Sequence, residues 1–233
     1  MRRVAVYAGT RNIYGRMVTA AKSLLAHTRM DRVWFLIEDD EFPEPLPKVI
    51  RCVNVSGQRW FDPEGPNFST RWTYMTLIRL ALPEILGFEK RALWLDTDTI
   101  VCRDIGELFD TEMEGCPFAA AEEPIRRKEP FRYYNAGVLL MDLERLREDV
   151  CLYSDMIRLV NREKLQFPDQ DAINLLCQRR IREISPAYNS SKWVVEVSDP
   201  SIVHFAADRQ YTERPLWKKY ENAEWRVTDA GKD

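Results

Sequence analysis

Two aspartates, Asp96 and Asp98, directly follow a short apolar run and are the residues of this chain best suited to chemistry. The run, residues 92–95, reads Ala-Leu-Trp-Leu, which predicts a buried strand that carries the two carboxylates at its tip. In open α/β sheets, ligands bind outside the carboxyl ends of the strands. Carboxylate oxygens suit hard divalent cations such as Mg²⁺ or Mn²⁺, which commonly also bind substrate phosphates. The pair therefore predicts a metal site that serves a phosphate-containing substrate.

An acid pair after a strand is typical of two classes of enzyme. Glycosyltransferases that use nucleotide sugars hold a metal ion under the diphosphate with an Asp-x-Asp pair. Haloacid-dehalogenase-like phosphatases have an Asp-x-Asp-x-Thr motif, which would make Asp96 a nucleophile. The segment Asp96-Thr97-Asp98-Thr99 satisfies both patterns. A strand-end turn without chemistry is a third interpretation, because Asp and Thr are common turn residues.

The composition narrows the class of protein. The chain has 233 residues, of which 45% are apolar and 30% charged, as in ordinary globular proteins. The net charge of −3 argues against a nucleic-acid partner. No apolar stretch approaches the ~20 residues of a membrane span, and the apolar run after Arg3 is too short for a signal peptide. The five cysteines show no Cys-x-x-Cys spacing, so we expect reduced thiols and a cytoplasmic protein.

The apolar pattern predicts an α/β arrangement around the acid pair. Strands are predicted at residues 3–8, 33–37, 49–55, 92–95, 117–121, 135–141, 181–184 and 202–205. Helices are predicted at 14–28, 69–85, 105–110 and 144–164, and a further one begins near 167 with Asp169 as its N-cap. The β-α-β-β opening predicts a nucleotide-binding sheet, but the loop 9–12 lacks a Gly-x-Gly-x-x-Gly fingerprint, which argues against a dinucleotide.

Five segments in a fixed order resemble glycosyltransferase family 8, which includes lipopolysaccharide galactosyl- and glucosyltransferases and glycogenin. They are residues 22–25, Leu95-Asp96-Thr97-Asp98, 134–140, Asp169-Gln170-Asp171 with Asn174, and Val203-His204-Phe205. The resemblance spans residues 4 to about 217. It implies a Rossmann-like GT-A fold, with a mixed central sheet flanked by helices, in a single domain 1–233. Residues 1–102 would be its nucleotide-binding half, and 103–233 the half that binds sugar and acceptor.

The resemblance also implies a donor and a cofactor. Asp96, Asp98 and His204 would bind Mn²⁺, with Mg²⁺ as the other candidate, and the metal would bind the diphosphate of a UDP-sugar. One imidazole beside two carboxylates shifts the preference toward Mn²⁺. UDP-glucose or UDP-galactose is the expected donor, and the acceptor is not predicted. The other donor-binding positions carried over from the family are Ala8, Thr10, Asn12, Tyr14, Arg79, Thr97, Glu123, Asn135 and Arg214.

Several of these positions have a specific expected role. Tyr14 would stack on the base, and Asn135, Asp169, Gln170 and Glu123 would contact the sugar. Gln170 or Asp171 would stand at the anomeric face of a retaining enzyme, where a covalent intermediate and a front-face attack both remain open. Glu123, or Glu122, occupies a position where the family usually has Asp.

The chain departs from the family near its end, where a diphosphate-binding lysine is replaced and Arg214 or Arg209 takes its place. The acceptor is expected near residues 57–72, 124–133 and 206–225. Some of the nearby aromatic residues are expected to stack on sugars and others to lie in the core; they are Trp60, Phe61, Trp72, Phe131 and Tyr133. A non-catalytic module that binds a sugar or a nucleotide is the alternative to an enzyme.

Overall fold

The computed structural model describes residues 1–126 and 131–228, and a seven-stranded sheet runs through it. The strands are β1 (Val4–Ala8), β2 (Arg32–Ile37), β3 (Ile50–Asn54), β4 (Arg91–Leu95), β5 (Thr99–Val101), β6 (Phe118–Glu122), β7 (Tyr134–Asp142), β8 (Ile181–Glu183) and β9 (Ile202–His204). The large sheet has the order β3-β2-β1-β4-β7-β6-β8, and β5 pairs with β9 outside it. Strands β3, β2, β1 and β4 are parallel, whereas β7 is antiparallel to β4 and β6, so the predicted mixed sheet is confirmed.

Helices cover both faces of this sheet. They are α1 (Tyr14–His27), α2 (Leu82–Ile85), α3 (Gly106–Phe109), α4 (Leu143–Glu148), α5 (Val150–Arg162), α6 (Pro168–Cys177) and α7 (Pro215–Glu221). Short 3₁₀ helices span Arg11–Ile13, Tyr74–Ala81, Pro124–Arg126, Pro186–Asn189 and Tyr211–Glu213. Across residues 1–126 and 131–228, none of the helices combines the length and the apolar character needed to cross a membrane.

The alternation of side chains along β1 builds a core on each face. Val4, Val6 and Ala8 pack with the helices α4 to α6, whereas Ala5 and Tyr7 pack with α1 and α3. Successive side chains of a strand point to opposite faces, so a strand covered on both sides is apolar throughout. All five residues of β1 are buried, as the continuous apolar pattern predicts.

Two predicted helices differ from the structure. The helix expected over 69–85 begins only at Tyr74 and is 3₁₀ until Ala81, because Thr73 has a φ of 60° that interrupts the chain before it. The helix expected over 144–164 is two helices, separated at Asp149, whose ψ of 68° lies outside the helical region. The Asp149 carboxylate caps α5 by accepting a hydrogen bond from the backbone N–H of Leu152 at 3.1 Å.

The predicted N-cap of α6 is also different. The cap residue is Phe167, and Asp169 lies inside the first turn without capping the helix. Asp171 instead reaches back, and its Oδ2 accepts hydrogen bonds from the backbone N–H groups of Gln166 at 3.0 Å and Phe167 at 2.9 Å. At about 100° per residue, Asp169 and Asp171 face directions roughly 200° apart. The two carboxylates therefore contact different neighbours.

Candidate active site

The carboxyl ends of β1 and β4 open into a polar cleft of about 830 Å³. The cleft brings together most of the residues that the sequence analysis singled out. It is lined by Ala8, Thr10, Asn12, Arg79, Asp96, Thr97, Asp98, Glu123, Asn135, Asp169, Gln170 and His204. Sequence positions almost 200 residues apart thus meet at the sheet edge where α/β folds bind their ligands.

The turn after β4 creates a cluster of two carboxylates and an imidazole. Asp96 ends the strand, and a tight turn in which Thr99 N–H donates to the Asp96 carbonyl returns the chain as β5. Strand β9 pairs antiparallel with β5 and places His204 opposite Thr99. His204 Nε2 lies 3.3 Å from Asp98 Oδ1 and 3.8 Å from Asp96 Oδ2. One ligand atom from each of the three residues lies within 4.8 Å of the other two.

Glycine 137 allows the imidazole to approach β7. A Cβ atom added at Gly137 would lie 2.1 Å from Cε1 of His204, far inside van der Waals contact. The Asn-Ala-Gly segment therefore needs glycine at its third position because the ring packs directly on the strand backbone. This contact holds His204 at the cleft, where it is buried with 5% of its surface exposed.

Asp98 and His204 shift each other's pKa. Burial lowers the pKa of His204, but the Asp98 carboxylate, its hydrogen bond and Asp96 together raise that pKa above its ordinary value. Burial raises the pKa of Asp98, and the charge and hydrogen bond of His204 more than offset it, so the pKa is lowered. The carboxylates thus favour a positive charge between them and the ring. Two carboxylate oxygens and an imidazole nitrogen are a donor set that fits a divalent metal ion.

Arg79 joins Asp96 to the acid on α6. Its Nη2 lies 2.9 Å from Asp96 Oδ1, and its Nε lies 2.9 Å from Asp169 Oδ2. The guanidinium stacks over Trp94, with Cζ 4.5 Å from the ring centroid, and Trp94 Nε1 donates to the same Asp96 Oδ1 at 2.8 Å. Oδ1 of Asp96 is engaged by both groups, which leaves Oδ2 facing His204. Burial raises the pKa of Asp169, although Arg79 opposes this effect.

Three buried polar side chains, Glu123, Asn135 and Gln170, line the same cleft as the three possible metal ligands. Glu123 is only 2% exposed, and its Oε2 accepts hydrogen bonds from Asn135 Nδ2 at 2.9 Å and Gln170 Nε2 at 3.1 Å. Arg126 Nε lies 2.7 Å from its other oxygen. Oε1 of Gln170 accepts the backbone N–H of Ala136 at 2.9 Å. Of the two acids left open by the sequence, Glu123 is the one that lines the cleft.

Tyr14 lies away from the cleft, in contrast to its expected role of stacking on a base. It is the first residue of α1 and is buried, with its ring centroid 5.0 Å from that of Phe42. Its hydroxyl donates to Asp39 at 3.0 Å and accepts the backbone N–H of Glu38 at 2.8 Å. Ile13 lines the cleft from the same loop. The difference is one of direction, because consecutive residues at a helix start point to different sides.

Asp171 and Arg214 also lie outside the cleft. Asp171 is bound by the two backbone N–H groups before α6 and by the hydroxyl of Tyr133. Arg214 directly precedes α7, and its Nε donates to Asp208 at 2.8 Å. Arg209, which the sequence analysis held as the other candidate, does line the cleft.

Further arginines line the cleft that sequence reasoning did not assign to it. They are Arg16, Arg71 and Arg126. Arg126 belongs to the basic cluster Arg126-Arg127-Lys128, of which the last two lie outside the described residues. The cluster pattern is typical of a solvated loop, and only the fold reveals that Arg126 turns inward toward Glu123.

A second cavity of about 680 Å³ adjoins the cleft and shares Arg126, Gln166 and Trp193 with it. Its other lining residues are Ile125, Phe131, Tyr133, Asp171, Asn174 and Leu175. Of the aromatic residues expected near an acceptor, Phe131 and Tyr133 line this cavity and Trp72 lines the cleft. The remaining two do not: Phe61 is in the core, and Trp60 donates to Glu84 at 2.7 Å.

Known proteins share both the sequence pattern and the fold. Curated relatives include the glycosyltransferase GlyB of Streptococcus pneumoniae, 28% identical over 66% of this chain and 43% of its own length. The probable glycosyl transferase Gly of Streptococcus gordonii is 24% identical over 90% of this chain and 34% of its own length. The chain thus spans less than half of either relative.

Solved structures with the same fold include a galactosyltransferase, LgtC, in complex with donor and acceptor sugar analogues. It is 20% identical, with 98% of both chains covered and a TM-score of 0.72. GlyE of Streptococcus pneumoniae gives a TM-score of 0.74 over 97% of this chain and 61% of its own, at 20% identity. The fold is therefore GT-A, as expected. The sequence model of the family "Glycosyl transferase family 8" matches residues 5–208, and the chain therefore belongs to that family.

Proposed function

We propose that this chain is a metal-dependent hexosyltransferase that transfers glucose or galactose from a UDP-sugar to an acceptor with retention at the anomeric carbon. The observation that carries the proposal is the convergence of Asp96, Asp98 and His204 beside the buried group around Glu123 in one cleft. Membership of family 8 supports a transferase over the phosphatase interpretation of the acid pair.

The donor would bind with its diphosphate at the metal ligands. Mn²⁺, or Mg²⁺, when bound there, neutralises charge on the departing diphosphate as a Lewis acid. Arg209 lines the same cleft and would take the place of the lysine expected of the family. Arg16 also lines this cleft, and its guanidinium would lie near the same phosphates. Ala8, Thr10 and Asn12 remain as the residues that would contact the uridine.

The sugar would lie over the polar group that includes Glu123, Asn135 and Gln170. Fixed hydrogen bonds to its hydroxyls would hold the anomeric carbon in line for transfer. Asp169 is held in place by Arg79, which also positions Asp96, so sugar binding and metal binding depend on one arginine. Gln170 and Asp169 are the groups proposed at the reacting carbon. Asp171 is no longer proposed there, since it caps the backbone before α6.

The acceptor would enter through the adjoining cavity. Phe131, Tyr133 and Trp193 give this cavity aromatic faces, which commonly stack on sugar rings. It shares Arg126, Gln166 and Trp193 with the cleft that Gln170 lines. A saccharide acceptor fits such a lining.

Turnover of nucleotide sugars tests the proposal. The protein is incubated with UDP-glucose, UDP-galactose and GDP- and ADP-sugars, each with Mn²⁺, Mg²⁺ or EDTA, and released nucleotide is measured along with the anomeric configuration. We expect UDP release that requires the metal and falls by about 10²-fold or more in Asp98→Asn, because a metal clamp contributes several kcal/mol. Asp155→Asn, an exposed acid on α5, is the matched control. Binding of a UDP-sugar without release would indicate a non-catalytic module, and preference for another base would exclude uridine.

A further inference from the structure

A continuous chain of buried hydrogen bonds joins Glu123 to His204. Glu123 accepts from Asn135 Nδ2 at 2.9 Å, Asn135 Oδ1 accepts from Asn189 Nδ2 at 2.9 Å, and Asn189 Oδ1 lies 2.8 Å from Nδ1 of His204. The four residues are between 0% and 6% exposed. Buried side chains of this kind have no water to exchange partners with, so the direction of each bond is set by its neighbours.

Asn135 determines which side chain donates and which accepts along this chain of hydrogen bonds. Its Oδ1 accepts the backbone N–H of Gly137 at 3.0 Å, and a backbone N–H can only donate. Its Nδ2 therefore faces Glu123, whose carboxylate accepts. Because Oδ1 of Asn135 is an acceptor, Asn189 must present its own Nδ2 to it. The amide of Asn189 then has only its oxygen left for the histidine.

The orientation of Asn189 determines the tautomer of His204. An amide oxygen at 2.8 Å requires that Nδ1 carry a proton and donate it. Nε2 is then free of a proton in the neutral ring, and its lone pair points toward Asp96 and Asp98. A metal ion can bind only the unprotonated nitrogen.

We propose that Asn189 is the positioning residue of the metal site: it relays the hydrogen-bond direction set by Glu123 and Asn135 to His204, so that the ring presents Nε2 to the metal. The local fold supports this role. Ser190 forms a bridge with Val203, and the backbone N–H of His204 donates to the Ser190 carbonyl at 2.9 Å, which holds Asn189 beside the ring. This inference rests on the proposed function insofar as the metal is concerned. It also links the sugar side of the cleft to the metal side.

The tautomer can be observed in the wild-type protein. The chain has only two histidines, so a long-range ¹H–¹⁵N spectrum of ¹⁵N-histidine-labelled protein contains two rings. His27→Gln identifies the signal of the other ring. With Mg²⁺ bound, and in metal-free protein at alkaline pH, we expect a proton on Nδ1 of His204 and none on Nε2. A proton on Nε2, or metal bound through Nδ1, would overturn the proposal.

Removal of the amide tests the relay itself. Asn189→Ala is expected to bind Mn²⁺ about 10–100-fold more weakly by calorimetry, the usual cost of losing a group that orients a metal ligand. Asn67→Ala is the matched control, since Asn67 is a buried amide bound to backbone at Val160, Glu163 and Leu165 and is not one of the residues that line the cleft. Asn189→Asp keeps an acceptor for Nδ1 and is expected to retain the tautomer, although it removes the amide that donates to Asn135 Oδ1.

The outcomes separate the inference from the proposed function. Wild-type Mn²⁺ affinity in Asn189→Ala would contradict the relay but leave the metal site intact. Failure of the wild-type protein to bind any divalent cation would contradict the metal in the proposed function, while the spectrum of the metal-free ring still tests the relay. If Asn189→Ala does not fold, the wild-type spectrum alone decides.

Discussion

Single residues in this cleft take their roles from where they lie on an element more than from their type. Asp169 and Asp171 are both acids on the first turn of α6, yet one pairs with Arg79 and the other caps the preceding backbone. Arg209 and Arg214 form a second such pair, five residues apart, and of the two only Arg209 lines the cleft. Each pair therefore provides a test with a built-in comparison.

Substitution of the two acids is expected to separate catalysis from stability. Asp169→Asn should lower turnover by about 10²-fold, because it removes the charge that holds Arg79 and a group proposed at the sugar, where misplacement is costly. Asp171→Ala should lower turnover less and should lower the free energy of unfolding by about 1 kcal/mol, because the backbone N–H groups of Gln166 and Phe167 lose their acceptor. Steady-state kinetics and urea unfolding of both variants provide the comparison. Equal loss of turnover in the two variants would contradict it.

The two arginines are expected to differ in nucleotide binding. Arg209→Ala should weaken UDP binding about 10- to 100-fold in the presence of Mn²⁺, since a charge-assisted hydrogen bond to phosphate contributes roughly 1.5–3 kcal/mol. Arg214→Ala should leave the dissociation constant unchanged, because that side chain pairs with Asp208 outside the cleft. Isothermal calorimetry measures both. A larger effect in Arg214→Ala would restore the assignment expected from the family pattern.

Among the elements, short interruptions decide where side chains point. The apolar residues Leu143 and Leu146 precede the break at Asp149, and Leu152, Met156 and Val160 follow it at helical spacing. One continuous helix would place Asp149 or the exposed Val150 near the buried face. The break resets the phase so that both segments bury their apolar side chains.

The cap at this break is expected to be measurable. Asp149→Ala should lower the free energy of unfolding by about 1 kcal/mol, because the N–H of Leu152 loses its acceptor. Asp149→Asn retains a capping oxygen and loses only the charge that faces Arg180, so it should cost much less. Denaturant unfolding of the three proteins distinguishes them. Equal destabilisation by Ala and Asn would show that the ion pair, and not the cap, matters.

At the scale of the whole molecule, the site depends on long-range pairing. Strands from both predicted halves, 1–102 and 103–233, pair directly through β4 and β7, which supports the proposal of one domain. The end of the described chain returns to the first helix: α7 packs on α1, and His27 Nε2 lies 2.7 Å from the hydroxyl of Tyr220. This contact gives the fold a distinct dependence on pH.

His27 is expected to destabilise the protein in acid. Burial lowers its pKa, Lys219 lowers it further, and Asp104 opposes them weakly. The folded protein then binds fewer protons than the unfolded chain as pH falls below about 6.5, so stability present above that pH is lost below it. His27→Gln should show a smaller loss of melting temperature on going from neutral to acidic pH. An unchanged difference between the two proteins across that range would contradict the shift.

The sequence predicts the strands and motifs that depend on local residue pattern. It does not predict the direction in which an individual side chain points. The buried strands, the acid pair and the late histidine follow from apolar runs and short motifs, and most of the predicted site residues line one cleft. Neighbouring residues such as Thr10 and Asn12 line the cleft, but the start of α1 directs the Tyr14 ring toward Phe42. Asn189 lies in a polar segment without periodicity, and only the pairing of Ser190 with Val203 brings it to His204.

Ligand-induced thermal stabilisation shows whether Asp96, Asp98 and His204 hold a metal that binds UDP. Wild-type protein and Asp98→Asn are melted with Mn²⁺ alone, and with Mn²⁺ plus UDP, GDP or ADP. A ligand at about 100 times its dissociation constant adds roughly 2.7 kcal/mol, or about 5–10 °C for a chain of this length. We expect this shift for UDP with Mn²⁺ in the wild type and its loss in Asp98→Asn. An equal shift in both proteins, or none with any nucleotide, would contradict it.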